Sequence, residues 1–224
     1  MRAAQALSAQ LEGAAHVFTC TGDTTAVDKA AVVSTFCGET NLPVVVVGTS
    51  AFGAGIDSPE VVMVAHLGGA WGFSQLLQEA GRAGRDGKVK AQHVVYTDKH
   101  HVSLLQRQAD GLAPPPTSTN PRPPLPDSRQ QRHAKLLLLY LHERTACRRL
   151  LIDNYLGGAG NPGRVCLHEP GFALCDHCQA AFEAAGLAHQ SDSDEEGDGG
   201  FGSDLLDIPG QSTDHAGQVM LRRP

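Results

Sequence analysis

Two arginines stand among three glycines in the stretch QEAGRAGRDG, which runs from Gln78 to Gly87. Glycine keeps side chains out of the way, and the guanidinium group of arginine carries a permanent planar charge that suits phosphate oxygens. Arg82 and Arg85 therefore predict a helix end that faces a phosphate, without indicating which phosphate. Taken alone, the stretch favours a surface arginine pair beside a turn.

A glycine-rich segment, GTSAFGAGID, lies upstream and directly follows the β-branched run Val44–Val47. In open parallel sheets, ligands bind outside the carboxyl ends of the strands. We therefore expect this segment and the two arginines to meet at that edge, where Gly53 and Gly55 let the backbone approach a ligand. Asp57 can accept hydrogen bonds from a ribose. The combination predicts one wall of a nucleotide site, whereas either motif alone favours an ordinary turn.

The last four of the six cysteines have the spacing C-x18-C-x8-C-x2-C, at Cys147, Cys166, Cys175 and Cys178. Four thiolates in such an arrangement predict a tetrahedral zinc site. A disulfide is disfavoured by an intracellular compartment, and a thioredoxin-type pair needs a βαβ context that is absent here. His168 and His177 are alternative metal ligands, but the cysteines are the better candidates. Cys20 and Cys37 lie in apolar segments and are expected to be buried.

The net charge of −6 on 224 residues is concentrated at one end of the chain. Residues 187–224 hold eight acidic and two basic residues, so we expect a disordered acidic tail. Its apolar residues predict a short motif that docks a protein partner: Phe201, Leu205, Leu206 and Ile208. Residues 129–149 hold six basic residues and one acidic residue, which suits a polyanion or a solvated helix face. Because no apolar run approaches about 18 residues, we expect a soluble intracellular protein without membrane contact.

The order of the elements predicts an α/β fold with a parallel sheet. Strands are expected at His16–Cys20, Val44–Val47, Val61–Leu67 and Gln92–Thr97, and helices at 3–12, Thr25–Phe36, Trp71–Ala83 and within 131–157. Seven prolines between Pro114 and Pro126 indicate a stiff linker. The predicted organisation is a sheet domain over 1–110, a linker over 111–130, a helical zinc-binding module over 131–182 and the acidic tail over 183–224.

Three of these segments resemble motifs V and VI of the RecQ-like family of superfamily 2 DNA helicases: VVVVGTSAFGAGID, VVMVAHL and QEAGRAGRDG. Cys147-Arg148-Arg149 and the later cysteines are similar to the zinc-binding module that follows the second RecA-like domain in that family. The resemblance implies a RecA-like parallel sheet whose usual first strand is missing. Such a gap leaves backbone groups of the sheet without partners.

The resemblance also implies roles on the ATP side. Arg85, with Arg82, is expected to be an arginine finger that reaches the γ-phosphate of Mg²⁺-bound ATP, which a preceding domain holds. Gln78 is expected to couple the nucleotide state to the domain cleft. Gly53, Gly55 and Asp57 are expected to line the nucleotide.

On the DNA side, the resemblance implies that Thr49 and Ser50 touch the phosphate backbone of the tracked strand. Arg144, Arg148 and Arg149 are expected to lie near duplex DNA, beside a zinc ion held by the four distal cysteines. The family's activity is ATP-driven 3′-to-5′ unwinding. It implies a nuclear protein of DNA repair and recombination that binds single strands and duplex junctions.

The sequence departs from that family where ATP is bound. It contains neither GxxxxGK[ST] nor Asp-Glu-x-His, the segments that hold phosphates and magnesium. We therefore expect that this chain is the C-terminal half of a helicase and that alone it neither hydrolyses ATP nor unwinds DNA. One alternative is a non-catalytic, zinc-stapled DNA-binding module. A nicotinamide-dependent oxidoreductase is disfavoured, because the glycine-rich segment lacks a third glycine and opens no helix.

Overall fold

A computed structural model describes residues 2–49, 52, 56, 58, 60–70, 72–85, 87–117, 120–142, 146–157, 166, 174–185 and 217–223. Several predicted site residues lie outside these ranges: Ser50, Gly53, Gly55, Asp57, Arg144, His168 and the apolar residues of segment 201–208. The chain divides into two compact units. The first comprises residues 1–134 and 203–224, and the second comprises residues 135–202.

A five-stranded sheet with the spatial order β1-β2-β5-β3-β4 forms the centre of the first unit. Its strands are β1 (His16–Cys20), β2 (Val44–Gly48), β3 (Val61–Leu67), β4 (Gln92–Tyr96) and β5 (Gly217–Arg222). β1 pairs with β2 and β3 pairs with β4 in parallel, as the sequence predicts. β5 lies between β2 and β3 and is antiparallel to both.

Seven helices are present in the part of the chain that the structure describes. They are α1 (Arg2–Gln10), α2 (Ala26–Cys37), α3 (Phe73–Ala80), α4 (Lys99–Ala109), α5 (Ser128–His142), α6 (Arg148–Gly157) and α7 (Asp176–Ala184). Within the described ranges, none of these helices combines the length and the apolar character needed to cross a membrane. Helices and a mostly parallel sheet confirm the predicted α/β class.

The valines of β2 are buried on both faces of the sheet. Val44 and Val46 pack into a core with Phe36 of α2, whereas Val45 packs with Leu7 of α1 in a second core on the opposite face. A strand covered on both sides has no face left for polar residues. This double burial explains why the strand reads as an uninterrupted β-branched run.

Residues 217–222 depart from the predicted acidic tail, because they form β5. Val219, Met220 and Leu221 are buried, with Met220 in one core and its two neighbours in the other. The segment GQVMLR contains no acidic residue, so the high charge of the tail as a whole does not describe its end. β5 adds a fifth strand to a sheet whose usual first strand the resemblance implied to be missing.

The two N-terminal cysteines differ from each other. Cys20, at the end of β1, is fully buried, as predicted. Cys37 is exposed, so the prediction of burial was wrong for this residue. It is the last residue of α2, and its neighbour Phe36 fills the core position in that turn.

Candidate functional sites

The arginine-containing turn begins where α3 ends, at Ala80. Gly84 adopts a φ of +61°, and a Cβ at this position would lie 2.9 Å from the Cβ of Ala91. The backbone N–H of Gly84 donates to the carbonyl oxygen of Val61 at 2.9 Å. The sequence therefore needs glycine here, because the turn packs its backbone against the first residue of β3.

The two arginines of this turn have different surroundings. The Nη1 of Arg82 donates to the carbonyl oxygen of Ile56 at 2.9 Å, and its buried Nε has no hydrogen-bond partner among the described residues. Arg85 is exposed. Gln78, on the last turn of α3, is also exposed. Arg82 therefore ties the turn to the segment before β3, and the guanidinium group of Arg85 lies at the surface.

The arginine turn lies at the amino end of β3, which corrects the prediction that it lies at the carboxyl edge. The helix α3 leaves the carboxyl end of β3 and runs back before β4 begins, so its own C-terminus returns to the amino edge. Thr49 follows β2 at the other edge, since Gly48 and His66 are both paired with Gln218. The two edges are separated by about 20 Å, the length of a seven-residue strand.

The four distal cysteines meet in the second unit, as their spacing predicts. All four Sγ atoms lie within 4.8 Å of one another, and Cys147, Cys166 and Cys178 are buried. The Sγ of Cys147 lies 3.5 Å from that of Cys166 and 4.0 Å from that of Cys175. These distances exceed a disulfide bond and bracket the separation of about 3.8 Å expected for a ZnS₄ tetrahedron with Zn–S bonds of about 2.3 Å. The cluster can hold one metal ion such as zinc.

The protonation of the cluster is uneven. Burial raises the pKa of Cys147, but the backbone N–H groups of Cys166 and Leu150 outweigh this effect and lower it to about 7. Burial and the neighbouring thiols raise the pKa of Cys166 to about 11 and also raise that of Cys178. Cys147 therefore ionises more readily than Cys166 and Cys178, which suits the first ligand of an incoming cation.

Sequence comparison matches the N-terminal part of the chain to a known domain family. Residues 2–87 match the helicase conserved C-terminal domain. The chain is 37% identical over 86 residues to ATP-dependent DNA helicase Q-like 5 of Arabidopsis thaliana, a match that covers 38% of this chain and 9% of that protein. It is 34% identical over 138 residues to ATP-dependent DNA helicase Q5 of Mus musculus, covering 60% and 13% of the two proteins.

Residues 2–87 therefore carry a helicase C-terminal domain like that of RecQ-like helicases. A third relative, ATP-dependent DNA helicase Q-like SIM of Arabidopsis thaliana, is 50% identical over 61 residues, which is 27% of this chain and 7% of that protein. The matched segments span about a tenth of the length of these relatives.

A buried polar network, which the sequence analysis missed, supports the arginine turn of this RecQ-like domain. The Nε2 of His66 lies 2.5 Å from Oε2 of Glu79, and Gln75 donates to Oε1 of Glu79 at 3.0 Å. The Nδ1 of His66 lies 3.0 Å from Nε2 of His93. Two features of the sequence indicate this network: a charged residue on the apolar face of α3 and a histidine within an apolar strand.

The pKa of Glu79 is lowered in spite of its burial. Burial alone raises this pKa, but the hydrogen bonds from His66 and Gln75 and the positive charge of Arg82 lower it below the usual value of 4.5. Glu79 therefore stays ionised and accepts from both donors. Because Glu79 belongs to α3 and His66 to β3, the network fixes the helix whose end carries the arginines.

Arg148 lies in a clamp beside the cysteine cluster. Its guanidinium group donates to both carboxylate oxygens of Asp176, with Nε–Oδ1 at 2.5 Å and Nη2–Oδ2 at 2.7 Å. It also donates to the carbonyl oxygen of Tyr140 and lies 4.8 Å from the centre of the Tyr140 ring. This ion pair lowers the pKa of Asp176 and raises that of Arg148. Arg148 thus links the start of α6, next to Cys147, to the start of α7, next to Cys175.

His177 and Arg149 also belong to the second unit. The Nδ1 of His177 lies 2.8 Å from the carbonyl oxygen of Ala146, so the ring is held by the backbone and not among the cysteine sulfurs. Arg149 is half-buried on α6.

Proposed function

We propose that this chain supplies the second RecA-like wall of an ATP-driven 3′-to-5′ DNA helicase, with Arg85 as its arginine finger. ATP and Mg²⁺ are then held mainly by a first RecA-like domain that supplies GxxxxGK[ST] and Asp-Glu-x-His. The observation that carries the proposal is the hydrogen bond from Arg82 to the carbonyl oxygen of Ile56. It joins the arginine motif to the GxGID segment, so two motifs of the nucleotide wall meet at one edge.

In this proposal, the two arginines have separate tasks. Arg82 holds the wall together, and the exposed guanidinium group of Arg85 meets the γ-phosphate. A guanidinium group stabilises the charge that develops when the phosphoryl group leaves, and such a finger contributes about 10³–10⁵ in rate. Gly53, Gly55 and Asp57 flank Ile56 in the sequence and line the nucleotide. Gln78 couples the state of the nucleotide to the cleft between the two domains.

DNA is proposed to bind at the opposite edge of the sheet, through Thr49 and Ser50. Thr49 follows the carboxyl end of β2, about 20 Å along the strands from the arginine turn. This separation supports a division between a nucleotide edge and a DNA edge. Arg144 and Arg149 are proposed to contact duplex DNA, with Arg148 contributing through its position beside them.

Zinc is the proposed ion of the cysteine cluster, with a structural role. Four thiolates complete its coordination and leave no open position for a substrate. The ion would replace packing that a segment of this size cannot provide, and it would fix α6 and α7 near DNA. A nuclear location, a role in DNA repair or recombination and a protein partner for the acidic tail are further parts of this proposal.

Two ATPase experiments test the proposal. The chain alone, with ATP, Mg²⁺ and single-stranded DNA, is expected to show no turnover; turnover that Arg85→Ala abolishes would contradict this expectation. In the second experiment, residues 2–87 replace the aligned segment of ATP-dependent DNA helicase Q-like 5. Arg85→Ala is expected to lower the DNA-dependent kcat of this chimera by about 10³-fold, with unchanged DNA affinity. A loss below about ten-fold would rule out the finger.

A non-catalytic, zinc-stapled DNA-binding module is the second candidate. The six basic residues within 129–149, against one acidic residue, favour it. Fluorescence anisotropy with duplex DNA across a salt series separates the two candidates, because phosphate contacts give a linear dependence of log K on log salt. Arg149→Ala is expected to lower the slope by about one phosphate contact. Binding by the chain without any effect on the turnover of a competent helicase would favour the module.

A further inference from the structure

β5 differs from the other strands in its direction and in its position in the sequence. It is antiparallel to both neighbours in a sheet whose other pairs are parallel, and its residues follow the whole second unit in the sequence. The pairing runs from Val44–Arg222 to Gly48–Gln218 on one side and from Val61–Arg222 to Leu67–Gly217 on the other. β5 is therefore the only described element that joins the β1-β2 pair to the β3-β4 pair through strand hydrogen bonds.

We propose that the groove between β2 and β3 is a peptide-binding site and that residues 217–222 are its resident, exchangeable ligand. The groove recognises an extended peptide through backbone pairing on both sides, as in other cases where a strand is added to a sheet. Three consecutive apolar residues are required, because Val219 and Leu221 enter one core and Met220 enters the other. The proposal is independent of the function proposed above.

A charged contact sets the register of the ligand. Arg222 is buried, its Nε donates to Oε2 of Glu60 at 2.8 Å, and its guanidinium group also donates to the carbonyl oxygen of Gly38. Glu60 immediately precedes β3 and Gly38 immediately follows α2, so both partners belong to the rim of the groove. A peptide shifted by one residue would lose this contact and reverse its apolar faces.

Gln218 fits the groove poorly. It is 3% exposed, and both Nε2 and Oε1 of its amide lack a hydrogen-bond partner among the described residues. A buried amide without partners opposes docking, since it loses its hydrogen bonds to water. The native strand is therefore a suboptimal ligand for its own groove. A peptide with an apolar residue at that position is expected to bind more tightly and to replace it.

The first experiment uses the full chain with a site-specific protease sequence inserted after Gly200. After cleavage, the fragment that contains residues 217–224 is expected to co-elute with the remainder on size exclusion at micromolar concentration. Elution of the fragment apart from the remainder overturns the proposal, whether or not the remainder keeps its thermal transition. The same cleaved chain with Met220→Asp is the matched control and is expected to lose its fragment.

The second experiment measures exchange. A fluorescent peptide of residues 215–224 is added to the cleaved chain, and its incorporation is followed by anisotropy. The Gln218→Val peptide is expected to bind about ten-fold more tightly than the native peptide, which corresponds to about 1.4 kcal/mol. The Met220→Asp peptide is expected to bind at least about 100-fold more weakly. Equal incorporation of all three peptides, or no incorporation of any, overturns the proposal.

Discussion

The imidazole of His66 and the carboxylate of Glu79 form a buried contact of 2.5 Å between β3 and α3. Both residues are less than a tenth exposed, so water does not replace the contact when one partner is removed. Arg82 lies one turn beyond Glu79 and contributes to its lowered pKa. The contact thus connects the strand, the helix and the arginine turn.

Glu79→Gln is expected to lower the free energy of unfolding by about 1–3 kcal/mol at pH 7, because a buried charged acceptor of two hydrogen bonds becomes neutral. The folded-state pKa of Glu79 lies below its unfolded value of 4.5. Its contribution is therefore fully present above pH 4.5 and is lost as the pH falls through the folded pKa. Urea unfolding at several pH values should show the difference between wild type and variant shrinking below pH 4.5. A difference that does not change with pH would contradict this assignment.

Gly69→Ala is expected to be strongly destabilising, by about 2–4 kcal/mol. Gly69 has a φ of +89°, and an added Cβ would lie 2.5 Å from the ring of His101. That ring is buried and its Nε2 lies 3.0 Å from the carbonyl oxygen of Ala70. Gly72→Ala is the matched control, since nothing lies within 4 Å of its added Cβ and its φ is −166°. Thermal unfolding should separate the two variants, and equal melting temperatures would contradict the prediction.

Removal of a cysteine ligand is expected to abolish metal binding. Wild type should contain about one zinc ion per chain by elemental analysis, and Cys178→Ser should contain none, because a structural zinc site needs all four ligands. Cys37→Ser is the control; it removes an exposed thiol in the other unit and should retain the ion. Zinc retained by Cys178→Ser would show that the four sulfurs do not share one ion.

The ion pair of Arg148 with Asp176 is expected to position the cysteine ligands. Arg148→Ala is expected to weaken zinc binding by about ten-fold, in the range found when partners that orient metal ligands are lost. Zinc binding weakens because Arg148 links the segments that carry Cys147 and Cys175. Competition with a chromogenic chelator measures the affinity. Arg149→Ala is the control on the same helix, and an equal loss in both variants would assign the effect to net charge.

Stability measurements distinguish the two arginines of the turn. Arg82→Ala is expected to lower the free energy of unfolding by about 1–2 kcal/mol, because it removes a charged donor from the Ile56 carbonyl oxygen. Arg85→Ala is expected to have a smaller effect than Arg82→Ala, because Arg85 is exposed and Arg82 is partly buried. Chemical unfolding of both variants measures this difference. The reverse order would assign the structural role to Arg85.

Local patterns predicted most of the elements. The run Val61–Leu67 has the predicted bounds of β3, and α2 begins at Ala26 because the side chain of Thr25 accepts from the backbone N–H of Asp28. The four cysteines were predicted as one site because the ligand types and their spacing carry that information. These features depend on neighbouring residues or on chemistry that few alternatives share.

Features that depend on the path of the chain were not predicted. The arginine turn lies at the amino edge of the sheet because α3 runs back from the carboxyl edge. Side-chain types do not indicate this direction. His66 and Glu79 are 13 residues apart, and their contact needs the packing of α3 on β3. β5 was missed because six residues without acid were averaged with an acidic segment. Its strand character depends on a groove formed by residues far away in the sequence.

The central position of β5 determines when the sheet can be completed during protein synthesis. Glu60 and Arg222 are 162 residues apart, which corresponds to roughly 8–32 s of translation at about 5–20 residues per second. During that interval the β1-β2 and β3-β4 ribbons can form, but the backbone edges that face each other have no partner. The nascent chain therefore exposes two unpaired strand edges until residues 217–222 have been synthesised. Slow translation between residues 60 and 217 would prolong this period and favour aggregation.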